Sequence, residues 1–373
     1  MKNKPVAFGA LILVIVAIVL AVVYLPTRQK VAIDPLKIGV DFPLTGNLAR
    51  YGEWGKRAIE IASEETNASG GVNGLPVQVF FEDNQGEPSK ALSAYQKMKS
   101  LDGIDAVMTL VSSIALIVQK SAEQDKIVQM DTSASTPAYS TPNDYSFRTG
   151  VVATQLAKDA AHILQDKFNA KNIAILSINN DFGKGMVGVF KSSFKGTIVV
   201  EQTFNQDGID FRTQLLNLKK QNVDFIFLVG HIKESGLLVR QARELGIKTP
   251  IFSDVYSVEG PEFIQNAGEL ADGIVYLGIQ FDADNKSPEV SKFVTAYRAK
   301  YGEDPGVYAA QAYDGIMALI KAYDKCPDNE CAKRQLFTTD FQGVSGRIKF
   351  DENGDVIKDV VLKTIKDGKF VNY

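Results

Sequence analysis

The chain has 373 residues, 45% apolar, 23% charged and 9% aromatic, with a formal net charge of −3. That length exceeds one small core and predicts two domains, and the near-balanced charge excludes the concentrated basic surface that nucleic acid requires. Two cysteines, Cys326 and Cys331, and two histidines, His162 and His231, are too few for a Cys/His metal site.

Lys2 and Lys4 precede an uncharged run over residues 6–25. As a helix it would span about 30 Å, the thickness of a bilayer core. It ends Val22-Val23-Tyr24-Leu25-Pro26, without the small residues of a signal-peptidase exit site, and no cysteine is near to take a lipid. An uncleaved anchor is therefore preferred to a cleaved leader, with both readings open. Arg28 and Lys30 balance Lys2 and Lys4, so charge does not set the orientation. Residues 1–35 are read as anchor or signal segment plus linker.

Strands and helices then alternate. Strands are expected over 36–42, 76–82, 105–110 and 127–130, and helices over 50–68, 88–101 and 112–124. This spacing predicts βαβ units and a parallel sheet. A Ser/Thr/Pro-rich stretch over 132–143 follows, then a helix over 153–168. A second alternating series has strands over 172–177, 197–202, 224–229, 250–253 and 273–278. Two helices follow directly, 288–301 and 305–323. A strand pair, 347–350 and 359–365, closes the chain around a turn at 351–355, with a further turn at 366–369. The pattern predicts two doubly wound α/β lobes, with ligand sites just beyond the carboxyl ends of strands.

Several motifs point elsewhere. Gly183-Lys184-Gly185-Met186-Val187-Gly188 matches G-x-G-x-x-G, opens a helix after a strand, and precedes Glu201. It could mark an NAD-dependent oxidoreductase. However, residues 178–182 separate the strand from the first glycine, where a dinucleotide turn is immediate. Asp181-Phe182-Gly183 lacks the other kinase elements. Ser112, His231 and Asp254 are triad residue types without a G-x-S-x-G elbow. Cys326 and Cys331 bracket Pro327-Asp328-Asn329-Glu330. A local disulfide is favoured over two free thiols in an oxidising compartment.

The opening of the body, Ile38-Gly39-Val40-Asp41-Phe42-Pro43-Leu44-Thr45-Gly46 with Tyr51-Gly52, resembles the leucine/isoleucine/valine-binding proteins, type I periplasmic binding proteins that feed ABC importers. The resemblance continues through Asn67-Ala68-Ser69-Gly70-Gly71-Val72-Asn73-Gly74, Glu82-Asp83-Asn84, Val111-Ser112-Ser113, Ser133-Ala134-Ser135-Thr136-Pro137 and Phe147-Arg148-Thr149. It extends to Val239-Arg240-Gln241-Ala242-Arg243 and Ala267-Gly268-Glu269. Several motifs in order are far more specific than one.

The resemblance implies two Rossmann-like lobes with a three-crossing hinge, preceded by the N-terminal hydrophobic helix. The first lobe would be 36–149 with 277–355, and the second 150–276 with 356–373. It implies no enzyme activity and no cofactor. The expected role is capture of an amino acid, an aliphatic one favoured, outside the cytoplasmic membrane, by a monomer that delivers it to an ABC permease. A sensing receptor of the same fold is the alternative. Carried over by position, Ser112 would take the ligand carboxylate with neighbouring amides, and the Ser133 carbonyl would accept from its ammonium. Ser135 stands where threonine is usual, and Asp254 falls near the acid that pairs with the ammonium, with a one-residue gap. Tyr51 matches an aromatic cleft residue. Phe182 replaces a tyrosine and His231 replaces an aromatic.

Overall fold

The computed structural model describes residues 34–373. The expected N-terminal hydrophobic helix lies outside them. No helix among the described residues is long and apolar enough to cross a membrane.

β1 (Lys37–Phe42), β2 (Gln78–Asp83), β3 (Ala106–Thr109), β4 (Val128–Asp131) and β5 (Ser146–Arg148) form one parallel sheet in the order β2-β1-β3-β4-β5. β3 and β4 are buried at every residue, as strands covered by helices on both faces must be. β6 (Asn172–Ile178), β7 (Thr197–Phe204), β8 (Phe225–Val229), β9 (Ile251–Asp254) and β10 (Val275–Ile279) repeat the same order in a second sheet, β7-β6-β8-β9-β10. β11 (Asp340–Gly343) and β12 (Gly346–Lys349) form a separate antiparallel ribbon. β13 (Val360–Lys366) and β14 (Lys369–Asn372) extend the second sheet antiparallel beyond β10. Asp367 and Gly368, both at positive φ, make the tight turn between them.

The expected pairing of 347–350 with 359–365 is corrected here. β12 bonds back to β11, four residues of chain that the sequence reading left unassigned, while β13 bonds to β10 and β14. β5 and the helix Asn329–Phe337 were also unassigned. β10 stays in the second sheet through Ile279, so the expected crossing at 276/277 falls inside a strand.

Each sheet changes winding direction between its first and third strands, at β1/β3 and at β6/β8. In doubly wound sheets this switch point, at the carboxyl ends, is where a crevice opens. The helix Ala49–Ala68 packs beside Val307–Tyr323, which is buried almost all round. A Cβ on Gly52 would lie 2.0 Å from the Pro43 carbonyl oxygen, and one on Gly55 2.5 Å from the Phe42 ring. Only glycine lets that helix sit so low on the end of β1, and this seats Tyr51 beside the crevice.

Candidate functional site

Ser112 opens the helix Ser112–Asp125 directly after β3. The residue before it, Val111, has φ 73°, a left-handed backbone that a β-branched residue rarely adopts. This sharp exit turns the first amides of the helix toward the crevice, where unpaired N–H groups and the helix dipole favour an anion. The Ser112 hydroxyl accepts from the amides of Ser135 (3.2 Å) and Thr136 (3.3 Å), and the Ser133 hydroxyl accepts from the Val111 amide (3.2 Å). The loop after β4 is thereby stitched to the end of β3.

That loop is fixed from beneath as well. Asp131 accepts from the amides of Ser133 and Ala134 and from the Thr109 hydroxyl (2.7 Å). Burial pushes its carboxyl up to about 6 against the lowering effect of these bonds. Arg148, fully buried, donates to the carbonyls of Ala134 (2.9 Å) and Thr136 (2.8 Å), to the Ser140 hydroxyl (2.6 Å) and to Asp355 (2.5 Å). The Ser135 hydroxyl is buried without a hydrogen-bond partner.

The opposite wall comes from the second sheet. Phe182 stands in the first turn of the helix after β6, capped by Asn180, whose Oδ1 accepts from the Gly183 amide (3.0 Å). His231 follows β8 at the start of the helix Ile232–Glu244. Because Asn180 Oδ1 is committed to Gly183, its Nδ2 faces His231 Nε2 at 3.3 Å. Nε2 is then the acceptor, and Nδ1 carries the ring proton. Burial pushes the imidazole pKa down to about 4, so the ring is neutral at pH 7.

Val111, Ser112, Ser133, Phe182, His231, Tyr256 and Tyr308 enclose a cavity of about 20 Å³, room for about one water. Four sequence-derived residues, Ser112, Ser133, Phe182 and His231, are thus brought together. Tyr51 stands behind them: its hydroxyl accepts from the Ile232 amide (2.8 Å), and its ring lies 6.0 Å from His231 and 4.6 Å from Tyr308. Ser135 reaches the cradle through its amide and does not line the cavity.

Asp254 is used differently from the sequence expectation. It ends β9 and caps the short helix Val255–Val258, accepting from the Tyr256 amide (2.9 Å) and the Ser257 hydroxyl (2.7 Å). Burial pushes its pKa up to about 7. It does not line the cavity, and the wall it supports is Tyr256. Tyr256 and Tyr308 were missed from sequence. The Tyr256 hydroxyl accepts from the Val151 amide (2.7 Å) and Gln311 Nε2 (3.3 Å), and the Tyr308 hydroxyl donates to the Tyr256 carbonyl (3.3 Å).

Two of the three glycines of the 183–188 motif have packing roles, while Gly188 faces open space. Gly183 lies inside the helix, where a Cβ would be 1.9 Å from the Ile178 carbonyl oxygen. A Cβ on Gly185 would be 3.1 Å from the Thr136 Cα, across the crevice. Away from the site, Cys326 and Cys331 are disulfide-bonded with Cα atoms 5.3 Å apart, and Asp328 between them caps the helix Asn329–Phe337.

Solved structures share this architecture. The branched-chain amino acid transporter substrate binding protein LivJ of Streptococcus pneumoniae, in complex with isoleucine, is 29% identical, with TM-score 0.82 over 90% of this chain and 98% of that one. The leucine binding protein LivK of Thermotoga maritima is 26% identical, with TM-score 0.84 over 91% and 97%. Among curated proteins, the leucine-, isoleucine-, valine-, threonine- and alanine-binding protein of Pseudomonas aeruginosa is 27% identical over 335 residues, 88% of each chain. The Leu/Ile/Val-binding protein of Escherichia coli is 26% identical over 334 residues, 87% of this chain and 88% of its own. The sequence profile described as "Periplasmic binding protein" matches residues 35–369, and with that match the chain belongs to the periplasmic binding protein family.

Proposed function

We propose that the chain is an extracytoplasmic solute-binding protein that captures an amino acid in the crevice between its two sheets and delivers it to an ABC permease. The observation that carries this reading is the convergence of two unlike walls on one cavity. One wall is a serine-and-amide cradle after β3 and β4, built for a carboxylate. The other is an aromatic wall after β6, β8 and β9. Relatives of the same length are named for binding leucine, isoleucine and valine, which supports an amino-acid ligand.

Two lobes divide the body in this reading, 36–149 with 280–355 and 150–279 with 356–373, so that β10 stays whole. The cavity as described admits no amino acid, so ligand enters by separation of the lobes about the crossings. The Tyr51 hydroxyl on the Ile232 amide and Lys233 Nζ on Asn47 (3.3 Å) bridge the two halves and are contacts that closure would make. Residues 6–25 hold the protein at the outer face of the cytoplasmic membrane or direct its export.

Calorimetric titration with amino acids and their derivatives tests the reading. Ligand binding at micromolar affinity or better is expected, and Ser112→Ala, which removes the hydroxyl that organises the cradle, should weaken it at least tenfold. Binding confined to compounds that lack a carboxylate overturns it.

A further inference from the structure

The aromatic side chains of the site form a closed ring. Centroid separations run Phe182–His231 5.9 Å, His231–Tyr51 6.0 Å, Tyr51–Tyr308 4.6 Å, Tyr308–Tyr256 5.8 Å and Tyr256–Phe182 6.2 Å. Neighbouring faces are thus 4.6–6.2 Å apart, and an aromatic face attracts a cation within roughly 6 Å of its centroid. Four of the five line the cavity.

What this collar offers a ligand nitrogen is unusual for an amino-acid site. A primary ammonium carries three N–H donors, and burying it needs acceptors and a counter-charge. None of the residues lining the cavity is acidic. Asp254, the acid that ends β9, has its two oxygens on Tyr256 and Ser257. The three tyrosine hydroxyls are engaged by the protein itself, at Ile232, at Val151 and Gln311, and at the Tyr256 carbonyl. Phe182 has no hydroxyl, and His231 directs its acceptor nitrogen to Asn180, keeping a donor. The collar therefore shows the ligand ring surfaces and few acceptors.

The surrounding field still favours a cation. Glu234, Glu262 and Asp254 act electrostatically on Tyr51, and Asp254 and Glu259 act on Tyr308. Negative charge behind a ring wall, with few N–H acceptors in front, suits a positive group whose protons have been replaced by alkyl groups. Recognition of quaternary ammonium by aromatic faces works in this way.

We propose that the cleft takes a small N-alkylated amino acid, its carboxylate in the cradle of Ser112 and the loop after β4 and its quaternary nitrogen against the faces of Phe182, His231, Tyr256 and Tyr308, with Tyr51 closing the ring behind them. The proposal rests on the amino-acid reading of the site and narrows it.

The test is calorimetric titration of the full chain with three matched series: glycine, alanine and valine; their N,N,N-trimethyl derivatives, glycine betaine first; and acetate, propionate and isovalerate. Trimethylated members binding at least tenfold tighter than their parents and than the acids support the proposal. Phe182→Leu, which keeps an apolar wall but removes a ring, should then cost the betaine at least tenfold. The wild-type comparison stands whether or not that variant folds. Parent amino acids binding more tightly overturn the proposal and leave amino-acid capture standing. Acids binding as tightly as the betaines, or no series binding, overturn both.

Discussion

Arg148 connects the anion cradle to the segment that returns from the first sheet to the second, and its removal tests whether that connection holds the site in shape. The side chain has no solvent exposure and donates to two loop carbonyls, to Ser140 and to Asp355. Arg148→Ala would leave the Ala134 carbonyl without a donor, the Thr136 carbonyl with only the Tyr139 amide (3.3 Å), and the Asp355 carboxylate short of its cation. Breaking a buried ion pair by deleting one partner costs about 3–5 kcal/mol. Asp355 is partly exposed and keeps the Ser140 hydroxyl (2.6 Å), which places the cost toward the lower end. With about 2 °C of Tm per kcal/mol in a chain of this size, the melting temperature should fall by roughly 6 °C or more. The loop that carries Ser133 and Ser135 would lose two anchors, so ligand affinity should fall as well. Differential scanning calorimetry and titration of the same sample read both effects. A double variant with Asp355→Asn should cost less than the sum of the two single changes, because the buried charge goes with its partner. A Tm within 2 °C of wild type, with unchanged affinity, would show that the loop holds its shape without Arg148.

Asp41 is buried at the end of β1, with one oxygen accepting from Asn84 Nδ2 (2.9 Å) and the other unpartnered, and burial pushes its pKa up to about 8. A carboxyl that holds its proton more tightly when folded favours folding at low pH. That contribution is lost as pH rises from about 4 toward 8. The urea midpoint of Asp41→Asn should therefore exceed that of wild type at pH 8.5 and approach it at pH 5; parallel pH profiles would contradict this. Gly185→Val places a branched side chain against Thr136 across the crevice, where even a Cβ sits at 3.1 Å. It should weaken ligand binding more than tenfold while leaving the ligand-free Tm within a few degrees, and unchanged affinity would mean that these surfaces do not meet in the bound form. Reducing the Cys326–Cys331 bond, which closes a five-residue separation, should cost about 2 kcal/mol on the loop-entropy account. A thermal melt with and without reductant measures it, and a change in ligand affinity would contradict its placement away from the site.

The alternating architecture was legible because each strand is a short apolar run between turn signals, and the second sheet repeats the first. Pairing was less legible. The segment 346–349 is β12 whichever neighbour it takes, and only tertiary packing selects β11 over β13. Ser112, Ser133, Phe182 and His231 came from the family resemblance by position, and their place beyond strand ends, where such sheets open, agreed with it. Tyr308 gave no signal, since it sits in a helix that is buried almost all round and so marks no one face as the site's. Asp254 was assigned to the ligand because, with a one-residue gap, it falls near the acid that pairs with the ammonium in the family it resembles. The competing signal was local: Asp254 with Ser257 three residues on is a helix-capping pattern, and an Asp that caps has its oxygens turned to the backbone.

The division of the site between the two sheets separates binding from selection. The anion cradle comes from β3 and β4 and is stitched by serine hydroxyls, Asp131 and Arg148, none of which belongs to the second sheet. The facing wall combines residues after β6, β8 and β9, each at the start of a different helix, with Tyr308 of the helix Val307–Tyr323. Changes in that wall should alter which solute is held without disturbing how its carboxylate is held. The double substitution Phe182→Tyr with His231→Tyr adds two hydroxyls to a wall that now presents ring surface and one N–H donor. A primary ammonium would gain acceptors there, each neutral hydrogen bond contributing about 0.5–1.5 kcal/mol. Affinity for a parent amino acid should rise by about tenfold relative to its trimethyl derivative, read as the ratio of two dissociation constants in one protein. The ratio cancels changes in the cradle and in overall stability. If it does not move, selection between the two ligand classes lies outside the residues that follow β6 and β8.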